Sequence, residues 1–234
     1  MTTPMKLMKN QQSGFTLVEI AIVLVIIGLL LGGILKGQEL INSAKVKNLA
    51  QDFKTVPLYI YGYQDRFKAL PGDDKKADTN NPGPPPATNA GGVGTTLGNG
   101  VIDGFWNSIT ASDESALFWQ HVRMANFAPG PTVVTDPNYY PTNVEGGRVG
   151  ITSNTGANIA VTGMTGTYVF CSASLLGKYA KQLDTTLDDG NTATGSMRTI
   201  LNGQTATVAG LPLTGTTVTD HVDDASSYTV CLAF

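Results

Sequence analysis

Apolar residues are spread unevenly along this chain. Phe15 to Leu35 is a run of 21 residues in which only Thr16 and Glu19 carry polar side chains. Wound as an α-helix at about 1.5 Å per residue, it is about 31 Å long and matches a hydrocarbon core of about 30 Å. Past Lys36 the pattern changes. Val46, Leu49, Phe53, Val56, Ile60, Tyr63 and Phe67 step by three or four, which makes one stripe on an amphipathic helix. Lys45, Lys47, Asp52, Lys54 and Gln64 fall off the stripe. The helix is therefore expected to continue and to lay this stripe on a globular head. Pro57 removes the backbone bond to Phe53 and is expected to kink the axis. Leu70-Pro71-Gly72 is the expected stop, since proline disfavours helix at the residue before it.

The rest of the chain alternates loops and short elements. Asp73 to Gly104 is dominated by Pro, Gly, Asn and Asp and reads as one long exposed or functional loop. Glu114 to Phe127 predicts a second helix, capped by Ser112 or Asp113, with Leu117, Phe118, His121, Val122 and Ala125 on one face. Ile151 to Val161 and Tyr168 to Phe170 read as strands, Ser172 to Leu183 as a third helix, and Thr207-Val208 and Tyr228 to Leu232 as final strands. The expected fold class is α+β: a long N-terminal transmembrane and amphipathic helix packed on a small head with a mainly antiparallel sheet. The expected segments are 1–14, a leader; 15–35, the membrane helix; 36–70, its amphipathic continuation; and 71–234, the head.

Charge removes some functions. The 234 residues carry a net charge of −3 with 15 scattered Lys and Arg, so no basic surface invites nucleic acid. Lys6 and Lys9 precede the apolar run, which favours a cytoplasmic N-terminus, and Lys45 and Lys47 oppose this weakly. Cys171 and Cys231 are the two cysteines. An even count in an exported chain favours a disulfide, against two buried thiols in a cytosolic one. The loop closed would be worth about 4 kcal/mol on the chain-entropy account.

The apolar run is too long for a cleaved signal peptide, and Asn42-Ser43-Ala44 is a poor cleavage site. A plain signal anchor leaves Glu19 unexplained, because a carboxylate in hydrocarbon is costly and is usually paired or functional. Gly14-Phe15-Thr16-Leu17-Val18-Glu19, after a short basic leader and before about twenty apolar residues, resembles the processing signature of type IV pilins and type II secretion pseudopilins. The resemblance implies cleavage between Gly14 and Phe15 by a prepilin peptidase, N-methylation of Phe15, and a filament contact in which Glu19 neutralises a neighbour's terminal amine. It implies homologous subunits, an inner-membrane assembly platform and membrane lipid as partners, and a periplasmic head. It implies the Cys171–Cys231 disulfide, since the family commonly closes a C-terminal loop in this way. A minor pilin or pseudopilin is favoured.

Other chemistry is thin. Asp73, Asp74, Asp103, Asp188 and Asp189 cluster in turns and are candidate calcium ligands, although no EF-hand spacing accompanies them. Otherwise no cofactor is expected. His121 and His221 lack metal-spaced partners, and there is no G-x-S-x-G elbow or phosphate-loop lysine, so an enzyme is not expected. Trp106, Trp119, Tyr139 and Tyr140 read as core or loop anchors. Two alternatives remain: a signal-anchored periplasmic binding module, and a membrane-tethered hydrolase.

Overall fold

The computed structural model describes residues 16–82, 86–90, 98–155, 161, 163–201 and 221–234. Contacts divide the chain into two compact units, Met1–Ser43 and Ala44–Phe234. One helix, α1 (Leu17–Phe67), begins in the first and ends in the second, and it continues through Pro57. None of residues 17–45 is buried. From there, six of the seven stripe positions are buried: Val46, Leu49, Phe53, Val56, Ile60 and Tyr63. Phe67 is half-buried.

In the second unit the stripe meets a four-stranded antiparallel sheet. Its strands are β1 (Val149–Ser153), β2 (Tyr168–Leu176), β3 (Met197–Leu201) and β4 (Ser227–Ala233), in the order β1-β2-β4-β3. The fold is therefore α+β. Side chains alternate across each strand, so the sheet has two buried faces. Phe170 and Val230 join the main core with Phe53, Ile60, Phe118 and Val122, and the Phe53 and Phe170 rings meet edge to face at 5.0 Å. Val169, Cys171 and Cys231 turn into a smaller core with Trp106, Met164 and Ile200.

The remaining helices are α2 (Ala77–Asn80), α3 (Glu114–Met124) and α4 (Gly177–Leu187). The helix expected over Ser172–Leu183 is divided: Ser172–Leu176 is strand, and the helix starts at Gly177. Pairing with the C-terminal strand decides this, because Ser172 faces Val230 and Leu175 faces Tyr228 across a bulge. Gly177 marks the change of direction, and a Cβ there would lie 1.9 Å from the Asp223 carbonyl oxygen. The strand expected over Ile151–Val161 runs instead from Val149 to Ser153. β3 was not expected from its sequence. Thr207-Val208 lies outside the described residues.

α3 departs most from expectation. Every residue from Glu114 to Arg123 is buried, so it has no solvent face. Asp113 is its N-cap by position but forms no capping bond, and its carboxylate accepts from the Ser108 hydroxyl instead. The polar side chains of α3 bind surrounding loops. Gln120 accepts from the Thr88 amide at 2.7 Å and donates to the Thr132 carbonyl at 2.9 Å. Arg123 donates to the carbonyls of Pro129, Pro131 and Tyr139. Burial is tolerated because the loops' own backbone groups supply the partners.

Candidate functional site

α1 opens on a reciprocal pair of bonds. The Thr16 amide donates to Glu19 Oε2 at 2.8 Å, and the Thr16 hydroxyl donates to the same oxygen at 2.7 Å. The Glu19 amide donates back to Thr16 Oγ1 at 3.3 Å. This is a capping box, with threonine at the N-cap and glutamate three residues on. It satisfies backbone donors that the first helical turn leaves without intrahelical partners. Both side-chain bonds use Oε2, and Oε1 has no partner among the described residues. The pairing was legible as Thr-x-x-Glu, yet sequence reasoning weighed Glu19 alone and left Thr16 without a role. Gly14 and Phe15 lie outside the described residues.

Beyond this turn come aliphatic side chains that contact no core. Leu17 is 91% exposed and Leu29 74%. α1 is the one described helix long and apolar enough to cross a membrane by length and composition. An apolar surface of this extent, wrapped around a whole helix, marks a lipid or protein environment in place of water.

The second unit holds the other expected residues. Cys171 and Cys231 face each other on β2 and β4, with Cα atoms 4.1 Å apart, and are joined by a disulfide. Asp73 is buried and accepts from the amides of Gly98, Asn99 and Gly100 at 2.7, 3.3 and 2.6 Å. Asp74 accepts from the Tyr63 hydroxyl at 2.8 Å, from Asn80 at 2.6 Å and from the Lys76 amide at 2.8 Å. These bonds fold the segment expected to be an exposed loop onto the head, where Ala77, Asn81, Ala87 and Ala90 are buried.

Glu114 lies beside this turn. Burial pushes its carboxyl up to about 8; the Asp103 amide, donating at 2.8 Å, pulls it down, while the charges of Asp73 and Asp103 push it up. Gly72 makes the close approach to α3. Its φ is +93°, and a Cβ there would lie 2.5 Å from the Glu114 carbonyl oxygen. The Gly72 amide donates to His121 Nδ1 at 2.9 Å, and Nε2 lies 2.7 Å from the Thr88 carbonyl. His121 is thus a neutral Nε2–H tautomer, and burial lowers its pKa. It ties two loops to α3. His221 is exposed in coil.

Asp188 and Asp189 follow the end of α4, beside Asp184. Asp184 was not singled out from the sequence. Its signal was the spacing, four and five residues before the Asp188-Asp189 turn.

A family model described as the prokaryotic N-terminal methylation motif matches residues 9–35. No curated protein and no solved structure matches the chain. The chain carries the type IV pilin and pseudopilin signature, and its apolar helix begins at Leu17, inside the matched residues. The signature points to a structural subunit that is processed and assembles with others, and with the apolar helix it fits membrane anchoring.

Proposed function

We propose that this chain is a prepilin-like structural subunit of a type IV pilus or a type II secretion pseudopilus, as a minor pilin or a pseudopilin. It inserts in the bacterial inner membrane with residues 1–14 in the cytoplasm and the head in the periplasm. A prepilin peptidase cuts between Gly14 and Phe15 and methylates the new amine. Homologous subunits then pack their apolar helices together on an assembly platform. The observation that carries this reading is the motif over residues 9–35, placed directly on the start of an exposed apolar helix.

The capping box gives Glu19 a defined starting position. Thr16 holds Oε2 at the first helical turn, and Oε1 remains for a second partner. Cleavage creates that partner, a cationic amine on residue 15 of a neighbouring copy. Pairing offsets a desolvation cost of about 2.5–3.5 kcal/mol for a carboxylate in hydrocarbon. The experiment is N-terminal mass spectrometry of the chain purified from its own membrane. A chain starting at methylated Phe15 is expected; one starting at Met1 overturns the reading.

A further inference from the structure

We propose that the head binds a small apolar α-amino acid in a cavity between α1 and α3, with its ammonium group at Asp52 and its carboxylate at Arg123 and Trp119. The cavity has a volume of about 190 Å³. Drug-sized ligands occupy about 300–1,000 Å³, so a ligand here is smaller, of amino-acid size. Asp52 and Tyr59 reach it from α1, Trp119 and Arg123 from α3, and Val149 and Phe170 from the sheet.

The polar groups on these walls are unfinished. Arg123 is 6% exposed, and no carboxylate stands against its charge. It directs Nε and Nη1 to the loop carbonyls of Pro129, Pro131 and Tyr139. The two N–H groups of Nη2 are left without a bond among the described residues. Trp119 is 5% exposed, and its indole N–H likewise bonds to no described residue. A buried donor without an acceptor is costly, which favours a ligand that supplies one. Asp52 is half-buried and forms neither a hydrogen bond nor an ion pair with a described residue. Burial raises its carboxyl, and no partner pulls it back.

Asp52 and Arg123 thus carry opposite charges on one small cavity without meeting as an ion pair. Both charges act on the Tyr59 hydroxyl, in opposite senses, so both stand near it. A gap between two such charges suits a ligand that carries both. An ammonium group pairs with the Asp52 carboxylate, and a carboxylate accepts from the guanidinium and the indole. An anion alone would face the charge of Asp52, and a cation alone would face that of Arg123, so the site discriminates against both. The side chain of the ligand packs on Val149 and Phe170, which are apolar and buried. The site needs neither cleavage at Gly14 nor assembly, and it holds or fails without the filament reading.

The test is a ligand-observed NMR titration of the detergent-solubilised full chain, against protein-free micelles, with L-alanine, L-valine, L-leucine and L-phenylalanine. Saturable binding of at least one is expected, with a dissociation constant of about 1 mM or below. For the tightest, the amine lacking the carboxylate and the acid lacking the amine should each bind at least about tenfold more weakly. Asp52→Asn should weaken binding of the amino acid at least about tenfold and leave that of the acid unchanged or stronger. The melting temperature of this variant should not fall, because Asp52 bonds to no described residue, so lost binding is not lost folding. Asp65→Asn, on an exposed ion pair of α1, should bind as the unaltered chain does. Absence of saturable binding below about 10 mM for all four amino acids overturns the proposal. So does an amine or acid analogue that binds as tightly as the amino acid, or full affinity in Asp52→Asn.

Discussion

None of residues 17–45 is buried, whereas residues 46–63 of the same helix bury one residue in every three or four. The backbone is α-helical throughout, so secondary structure does not distinguish the halves; their surroundings do. From Leu17 to Leu35 the apolar surface goes nearly all round, and the described polar bonds from Thr16 to Glu39 are short-range: the Thr16–Glu19 box and the Lys36–Glu39 pair. In the second unit the reverse holds. Glu114, His121, Asp73, Asp74 and Asp184 are all buried, and most are held by backbone groups of distant loops. An element that must repack among copies of itself gains from carrying few internal bonds. An element that must keep one shape gains from many.

The largest expected effect separates the halves directly. Phe53→Ala removes a fully buried ring at the edge-to-face contact with Phe170 and should cost the head about 3–5 kcal/mol. Leu29→Ala, the same kind of truncation on the same helix, should leave the melting of the detergent-solubilised chain unchanged, since Leu29 is 74% exposed. A shared loss of stability would show that the first half is part of the head's core.

Breaking the Cys171–Cys231 bond should cost about 4 kcal/mol, given a sequence separation of 60 residues. The measurement is thermal melting with and without reductant, with Cys171→Ala/Cys231→Ala as reference. Because both sulfurs sit in the smaller core, the double variant should melt early but keep its far-UV spectrum. A melting temperature indifferent to reductant would place the stability of the head elsewhere.

A smaller effect comes from Glu114. Burial raises its carboxyl from the usual 4.5 to about 8 in the folded head. The folded state therefore holds a proton that the unfolded chain has released, so stability is greatest at low pH and declines as pH rises from 4.5 to about 8. Asp184, pushed up to about 6 by burial first and then by Asp188 and Asp189, contributes in the same direction at lower pH. Melting between about pH 6 and pH 8, above the range of Asp184 and up to that of Glu114, isolates Glu114, and Glu114→Gln should flatten that slope. A slope unchanged by Glu114→Gln would assign it to another group.

The two halves also differ in how far they could be read in advance. The first half of α1 follows from composition, because a run of 21 residues with only Thr16 and Glu19 polar needs no distant partner to be helical. The stripe from Val46 to Tyr63 is equally local, since its period is set by the helix itself. The head resisted in particular places. "SASLL" suits a helix as well as a strand, and only the return of β4, more than fifty residues later, makes it β2. "MRTIL" became an edge strand for the same reason. Only one face of α3 could be assigned to a core in advance, because the loops that cover its other faces carry no periodic signal. Glu19 was legible as a site, but its hold by Thr16 required the cap to be read together with the charge.

The mildest change tests Glu19 itself. Glu19→Ala removes the carboxylate and its bonds to Thr16, both confined to an exposed turn. The head's melting temperature should not move, because no core residue contacts this turn. Membrane insertion should be retained or improved, since a charge is removed from an apolar run. Filament assembly, measured by shearing and sedimentation, should be lost, because the neighbour's amine then enters hydrocarbon without its counter-charge. Thr16→Ala is the companion: it keeps the charge and loosens its position, so assembly should fall less. If Glu19→Ala assembles normally, Glu19 is a helix cap and nothing more, and the first half of α1 needs no charge to find its partners. If both variants fail equally, the position of the carboxylate matters as much as its charge, and the capping box belongs to the assembly contact.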